Sequence, residues 1–590
     1  MSSSLPAPIS LALESIITSR APEQWDVLRS DARTIASALI SDEIRTVVGD
    51  SGVIAKIAAL LPRSIPQEQS TTTELLRIVG NLCFDHDVNR QKVLEASITT
   101  FVFSALVAAL ESRPPRDGAT LLSIDTLKLI RAAIGALLNS SHNYEPISAV
   151  VRAPENLEIM CRIFDTRGSQ IPIYIINSWS YASEEELESL SLGSTIFQWT
   201  MNVINDLVET DKSTFPASSL PSLISLLQYA EETKTLEDED LLQTDIEILT
   251  AVGALIEALS LDSDSCKQAL GLDNYTTTPP LRILRFLFSF LADSASPSTW
   301  TTDENEKAFG LVKAAIGKAV IEACNEDWVL EKMTVLDEGG NAKEGWIVEE
   351  MIHWISKVSD REDLITVATH VLAGIGRNDT NCLILAQKYH VLPSLVDLLT
   401  SQLEALKSPP QGTRPGGVAQ SLFGIVSLLR HLSIPKENKA EMAQYEIVKL
   451  VTPLLETKLD VVAPLQTAVV GLIKHLSSGN LSSSVAIVTE SVNGQSPLAA
   501  ILDIIKRTDD VKLRSEASRI LVNVVRSVFT TTETGSNISE AAKLIVQRDV
   551  VEQLSEMVRL SEKYPILINE GIVGLTLLAG SGPVGGDRNG

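Results

Sequence analysis

Residues 367–399 read VATHVLAGIGRNDTNCLILAQKYHVLPSLVDLL, and this stretch decides the fold. Its first half places Val367, Val371 and Ile375 on one line with Ala368 and Leu372 beside them, which is the spacing of a helix with an apolar face. His370, Gly374 and Asn378 fall four apart on the other side. Asp379 and Asn381 end that helix, because short polar side chains compete for backbone hydrogen bonds. A second apolar helix begins near Leu383. A third follows Val391-Leu392-Pro393, since proline is tolerated in a first helical turn. Helix, polar turn, helix, proline joint, helix is one unit of a helical solenoid.

The rest of the chain repeats this pattern. LLRIVGNLCFDHDVNR, 75–90, sets Leu75, Val79 and Leu82 toward a core and Arg77, Asn81 and Asp85 along a polar line. Arg131, Gly135 and Asn139 stand in the same relation, as do Arg519, Asn523 and Ser527. SLFGIVSLLRHLSIPKENKAEM and PLQTAVVGLIKHLSSGN are further copies. The units return at roughly 40 to 55 residues, the armadillo/HEAT range. Gly recurs four before a polar residue at Gly135/Asn139, Gly253/Glu257, Gly374/Asn378 and Gly471/His475. Glycine inside a helix costs about 1 kcal/mol relative to alanine, so its recurrence points to close helix packing ahead of close approach by a partner.

The expected fold is therefore all-α, an armadillo/HEAT-like right-handed superhelical solenoid. Apolar residues make up 44% and aromatics 5%, so aliphatic side chains fill the core. Residues 1–70 read as an N-terminal helical cap whose last helix closes at Pro62 and Pro66. Residues 71–350 read as N-terminal and middle repeats, with loop insertions near 111–120, 231–240 and 271–306. Residues 351–579 read as C-terminal repeats, and 580–590 as a disordered tail. Ser183 before three glutamates reads as a helix cap.

Net charge is −26, from 49 basic and 75 acidic residues. Such a chain repels nucleic acid and anionic membranes and favours basic partners. The acidic run EETKTLEDED, 231–240, is a solvated loop and helix start or a dock for a basic tail. The five cysteines are scattered, which suits buried thiols in a reducing compartment. Cys83 and His86 form a C-x-x-H without a second pair, so no metal site is expected. No phosphate-binding glycine loop and no nucleophile–base set is present, so neither a cofactor nor covalent catalysis is expected. The start, MSSSLPAPIS, lacks a basic leader, and Ile98–Leu110, about 13 residues, is too short to span a bilayer. A soluble cytosolic monomer is the expectation.

Stacked repeats would align the polar lines into a ladder on the concave side. Its rungs are Asn81, Asp85, Asn139, Glu257, Glu322 and Asn325, then Arg377, Asn378, Asp379, Asn381, Arg430, His431, Asn438, His475 and Asn523. Asn both donates and accepts, so such a ladder suits an extended peptide or a partner's loops. Exposed helix-end and turn formers would show the same residue types. A general armadillo adaptor for basic peptides is the alternative reading, although no Trp is followed four later by Asn, the pairing that import receptors of this fold use.

GIGRNDTNCLILAQKYHVLPSLVDLL resembles the A-N-F-A-R-N-D-x-N-C unit of the Smg GDP dissociation stimulator family. HLSIPKENKAEM resembles that family's N-L-A-I-P-x-x-N-K-A-x-M, and INEGIVGLTLLAG its final Q-N-E-A-L-x-A-L helix. The resemblance is strongest over about residues 350–579 and loose over 75–140. It implies an armadillo-repeat exchange factor and chaperone for small GTPases of the Rho/Ras superfamily with basic, prenylated C-termini. It further implies that Asn378 belongs to the GTPase-binding patch, and the ladder residues Arg377, Asp379, Asn381, Arg430, His431, Asn438, His475 and Asn523 are expected to extend that patch. Asn81, Asp85, Asn139, Glu257, Glu322 and Asn325 would hold the basic tail. Gly374 stands where the family has Asn. Presence in the nucleus, endoplasmic reticulum or mitochondrion is also implied by resemblance alone.

Overall fold

The computed structural model of the chain describes residues 5–19, 24–111, 122–165, 171, 183–209, 211–227, 239–271, 283–293, 302–325, 346–357, 361–407, 415–492, 494–559 and 565–580. Among these residues every regular element is helical, apart from one isolated bridge between Val492 and Gln495. The chain forms two compact units, Met1–Ala323 and Cys324–Gly590, so the division falls ahead of the one expected after residue 350.

Each unit is built on a row of long helices. In the first unit the row is α1 (Trp25–Ala38), α2 (Gln69–Cys83), α3 (Ile124–Ser141), α4 (Glu184–Val208), α5 (Glu239–Asp262) and α6 (Asp303–Cys324). In the second it is α7 (Glu362–Ile375), α8 (Pro415–Leu432), α9 (Ala463–Ser477), α10 (Val511–Thr530) and α11 (Pro565–Gly580). Within a unit, successive row helices pack side by side. Two shorter helices precede most of them. Asp87–Glu95 meets Ile98–Glu111 at 74°, and Asp379–Lys388 meets Val391–Lys407 at 85°. Val371, Ile375, Ala368 and Leu372 are all buried, as their spacing requires.

The corner between the two short helices turns on a single left-handed residue. It is Gly52 (φ 87°) or Ser97 (φ 53°) in the first unit, and His390 (φ 49°) or Glu446 (φ 50°) in the second. A side chain in that conformation costs about 1–2 kcal/mol, which the packed helices on either side must offset.

Adjacent repeats are stitched in both directions. Asparagine amides reach back: Asn89 Nδ2 donates to Leu82 O at 3.0 Å and to Arg45 O at 3.1 Å. Asn438 Nδ2 donates to Leu432 O at 3.0 Å and to Cys382 O at 3.3 Å. Long cations reach forward: Arg90 Nε to Asn139 O at 3.1 Å, Arg152 Nε to Leu207 O at 3.0 Å, and Lys439 Nζ to Ser478 O at 2.7 Å. Most of these bonds satisfy carbonyls that a helix C-terminus leaves open, as at Leu82, Asn139, Leu207 and Leu432.

The glycines act in packing. A Cβ on Gly80 would stand 3.2 Å from the Ala136 Cα, and one on Gly135 2.9 Å from the Trp199 ring. Ser183 forms a reciprocal capping box with Glu186. One expectation about the first 70 residues changes. Helix Val53–Gln67 continues through Pro62 and Pro66, held by buried Ile57, Leu61 and Ser64. The break comes instead at Glu68, where the backbone is extended (φ −143°). The loops expected near 111–120 and 231–240 and the tail fall largely outside the described residues. Within 271–306, Ile283–Asp293 is an apolar helix.

Candidate partner-binding faces

The polar line of the second unit crosses α7 to α11. Arg377, Asn378 and Asp379 are exposed together just beyond the end of α7. Asn378 caps the next helix, its side chain accepting from Asn381 N–H at 2.8 Å. Arg377 donates to Asn325 O at 3.3 Å. On α8, His431 Nδ1 is 2.9 Å from Ala373 O, and Arg430 lies over Gly471, with its Cδ 3.0 Å from where a Cβ would stand. On α9, burial lowers the His475 pKa to about 4, with Lys474 and Arg430 adding to the effect. On α10, Asn523 Nδ2 donates to Lys474 O at 3.1 Å.

Charges alternate around this line. Lys474 pairs with Glu516, Arg519 with Glu516 at 3.1 Å, and Arg519 with Glu570 on α11 at 2.8 Å. The row therefore presents Arg430, Lys474, Glu516, Arg519 and Glu570 as one interleaved stripe. Lys474, Glu516 and Glu570 were not singled out from sequence. Spacing held a clue, since Arg519 stands four before Asn523.

Two residues expected in the binding set are internal. Asn381 is 2% exposed and Asn438 1%. The Asn381 amide donates to Ile375 O at 2.8 Å, and that of Asn438 is committed to the two carbonyls already described. Their polarity serves the helix ends inside the stack, so a bound partner could not reach them.

The first unit groups its residues differently. A groove of about 420 Å³ runs between α1, α2, α3 and α4, lined by Arg33, Glu74, Arg77, Asn81, Lys128, Arg131, Asn139 and Trp199 among others. Glu74, 5% exposed, is bridged by Arg33 at 3.0 Å and Arg77 at 2.6 Å. Lys128 pairs with Glu188 at 2.8 Å. Arg131 is half-buried, and burial, then the neighbouring Arg77, lower its pKa. Asn81 Nδ2 donates to Ala36 O at 2.8 Å, and Asn139 Nδ2 to Gly80 O at 3.1 Å.

Cationic surroundings make this a poor seat for a basic tail, which corrects the expectation for Asn81 and Asn139. Asp85 is exposed beyond the end of α2 in a left-handed turn (φ 50°), off the groove. Farther along the row the charges are mixed. Glu257 pairs with Lys318 at 2.6 Å, and Glu322, one turn beyond Lys318, is half-buried. Asn325 follows α6, with its Oδ1 buried against Gly374.

Among the described residues no group of three His, Cys, Asp or Glu side chains could hold a metal ion. His86 Nδ1 accepts from Asn89 N–H at 3.3 Å as a helix cap, and Cys83 beside it is buried, its thiol pushed up to about 12. All five cysteines are free and buried. Among the described residues no single helix is long and apolar enough to cross a membrane.

Row helices with two shorter helices per unit define an armadillo-type solenoid, and solved structures agree at the level of fold. A chain from a complex of SYS-1 with POP-1 matches with TM-score 0.54 and 10% identity, over 97% of this chain and 98% of that one. SYS-1 by itself matches with TM-score 0.52 and 10% identity, at the same coverage. A chain solved in work on a phosphorylation switch between cadherin and beta-catenin matches with TM-score 0.50 and 12% identity, over 97% and 96%.

Sequence comparison is more specific. Rap1 GTPase-GDP dissociation stimulator 1-A of Xenopus laevis is 24% identical over 250 residues, 42% of this chain and 35% of that protein. Stimulator 1-B of the same species is 22% identical over 249 residues, with the same shares. The chain thus matches about a third of the length of these relatives. It is a divergent relative of the Smg-type GDP dissociation stimulators. No family model matches it.

Proposed function

We propose that the chain regulates small GTPases, binding them on the second unit and promoting GDP release. The observation that carries this reading is the likeness to two proteins named for stimulating GDP dissociation. The interleaved stripe of Arg430, Lys474, Glu516, Arg519 and Glu570, with exposed Arg377, Asn378 and Asp379 at its edge, supports it. Paired charges held in place by neighbouring helices suit a folded partner with its own mixed charges, and they set register more than raw affinity.

Release needs no bond-making. A protein that binds the nucleotide-free, displaced form of the GTPase better than the GDP form shifts the population toward release. A body of net charge −26 steers a basic tail toward itself, with Glu257 and Glu322 as contacts. On this reading the chain acts as a cytosolic monomer, is no enzyme, and shields clients of the Rho/Ras type with basic, prenylated tails.

The test loads a panel of Rho- and Ras-type GTPases with fluorescent GDP and adds the full chain. Accelerated release from at least one member is expected. No acceleration and no complex with any member overturns the proposal. Asn378→Ala and Asn378→Asp separate the contact from the cap. Asp keeps the capping oxygen, so weakened binding in both variants marks a contact made through the amide, whereas weakening in Ala alone marks the cap.

A further inference from the structure

The first unit carries a groove whose character opposes that of the whole chain. The protein is acidic by 26 charges, yet here four cations, Arg33, Arg77, Lys128 and Arg131, face two carboxylates, Glu74 and Glu188. Glu74 already serves two arginines. Arg131 has no hydrogen bond or ion pair within the described residues, although it is half-buried. Holding a half-buried guanidinium is costly, and the neighbouring Arg77 adds repulsion, which Glu188, already paired with Lys128, offsets only in part. A bound carboxylate would relieve both.

The same groove holds two backbone-reading groups. Asn81 and Asn139 each donate their Nδ2 hydrogens to a carbonyl of the preceding row helix, which fixes the amide plane. Neither Oδ1 accepts a hydrogen bond within the described residues, and neither is sealed from solvent. The two acceptors sit on the neighbouring packed helices α2 and α3. Backbone N–H groups of an extended segment can meet both.

We infer that the groove between α1 and α4 binds an extended acidic peptide, with Asn81 and Asn139 accepting from its backbone and Arg77 and Arg131 pairing with its carboxylates. This activity is separate from GTPase binding, and neither reading needs the other.

The experiment selects random displayed peptides on the immobilised full-length chain, then measures the recovered peptides on Arg131→Glu. Selected peptides should be enriched in Asp and Glu. They should bind at least about tenfold more weakly to Arg131→Glu, the loss expected when one side of a desolvated charge pair is reversed. Affinity should also fall as salt is raised. Arg131→Gln, which removes the charge without adding another, should give a smaller loss and keeps the test valid should the reversal disturb folding.

Recovery of Lys/Arg-rich peptides, no bias in composition, or undiminished binding to both variants overturns the inference. A single-stranded oligonucleotide that outcompetes the peptides and shows the same dependence on Arg131 also overturns it, by assigning the groove to nucleic acid.

Discussion

The two rows use one joint and surround it with different charges. In the first unit, Asn81 and Asn139 tie α2 to α1 and α3 to α2 through backbone carbonyls. In the second, His431 and Asn523 tie α8 to α7 and α10 to α9 in the same way. The joint is thus generic, and it does not distinguish the faces. What differs is the turn of helix beside it. Arg33 and Arg77 share one carboxylate in the first row with Arg131 beside them, whereas Lys474, Glu516, Arg519 and Glu570 alternate in sign along the second. Binding character in this fold resides in the neighbours of the rungs.

The largest expected effect tests whether the stitching is common to both units. Asn89→Ala and Asn438→Ala each strip two carbonyls of their donor, and each should cost about 3 kcal/mol, read as a fall in urea midpoint. A large loss in one unit and none in the other would break the equivalence. Next, Gly80→Ala should cost about 1–3 kcal/mol, because its Cβ meets the backbone of Ala136, which cannot swing aside. Gly374→Ala should stay within about 1 kcal/mol of the parent. Its Cβ meets the end of the Asn325 side chain, which can rotate, and the helix gains propensity. Equal losses would show that the two rows are packed alike.

Smaller still are the corners. Ser97→Gly in the first unit and Glu446→Gly in the second should each gain up to about 1 kcal/mol, since glycine relieves the left-handed strain but loosens the unfolded chain. Thermal unfolding checks both.

A further effect is read against acid. His475 titrates near 4 when folded and near 6.5 when unfolded. Its contribution is complete above about pH 6.5 and is lost as pH falls toward about 4, because the unfolded chain takes up the proton first. His475→Gln should flatten part of that slope in the second unit, measured by denaturation at a series of pH values. An unchanged slope would remove His475 as its source.

Much of the architecture was legible in the chain. The alternation in 367–399 announces the three-helix unit, and the glycines one turn before polar residues sit where neighbouring helices touch. Pro62 and Pro66 misled, because local propensity argues for a stop while buried Ile57 and Leu61 keep the helix going. Asn381 and Asn438 misled for another reason. An amide that closes a helix end inside a stack has the same residue type as one offered to a partner, and only the position of the receiving carbonyl separates them. Arg77 and Arg131 were visible on the polar line, but their convergence on a single groove depends on how α2 and α3 pack.

The backward stitches have a consequence for synthesis. Every carbonyl that receives an asparagine or histidine rung belongs to an earlier part of the chain than its donor. A chain emerging from the ribosome amino end first therefore presents each docking edge before the piece that must settle on it is made, so the row can grow by accretion without waiting for its far end.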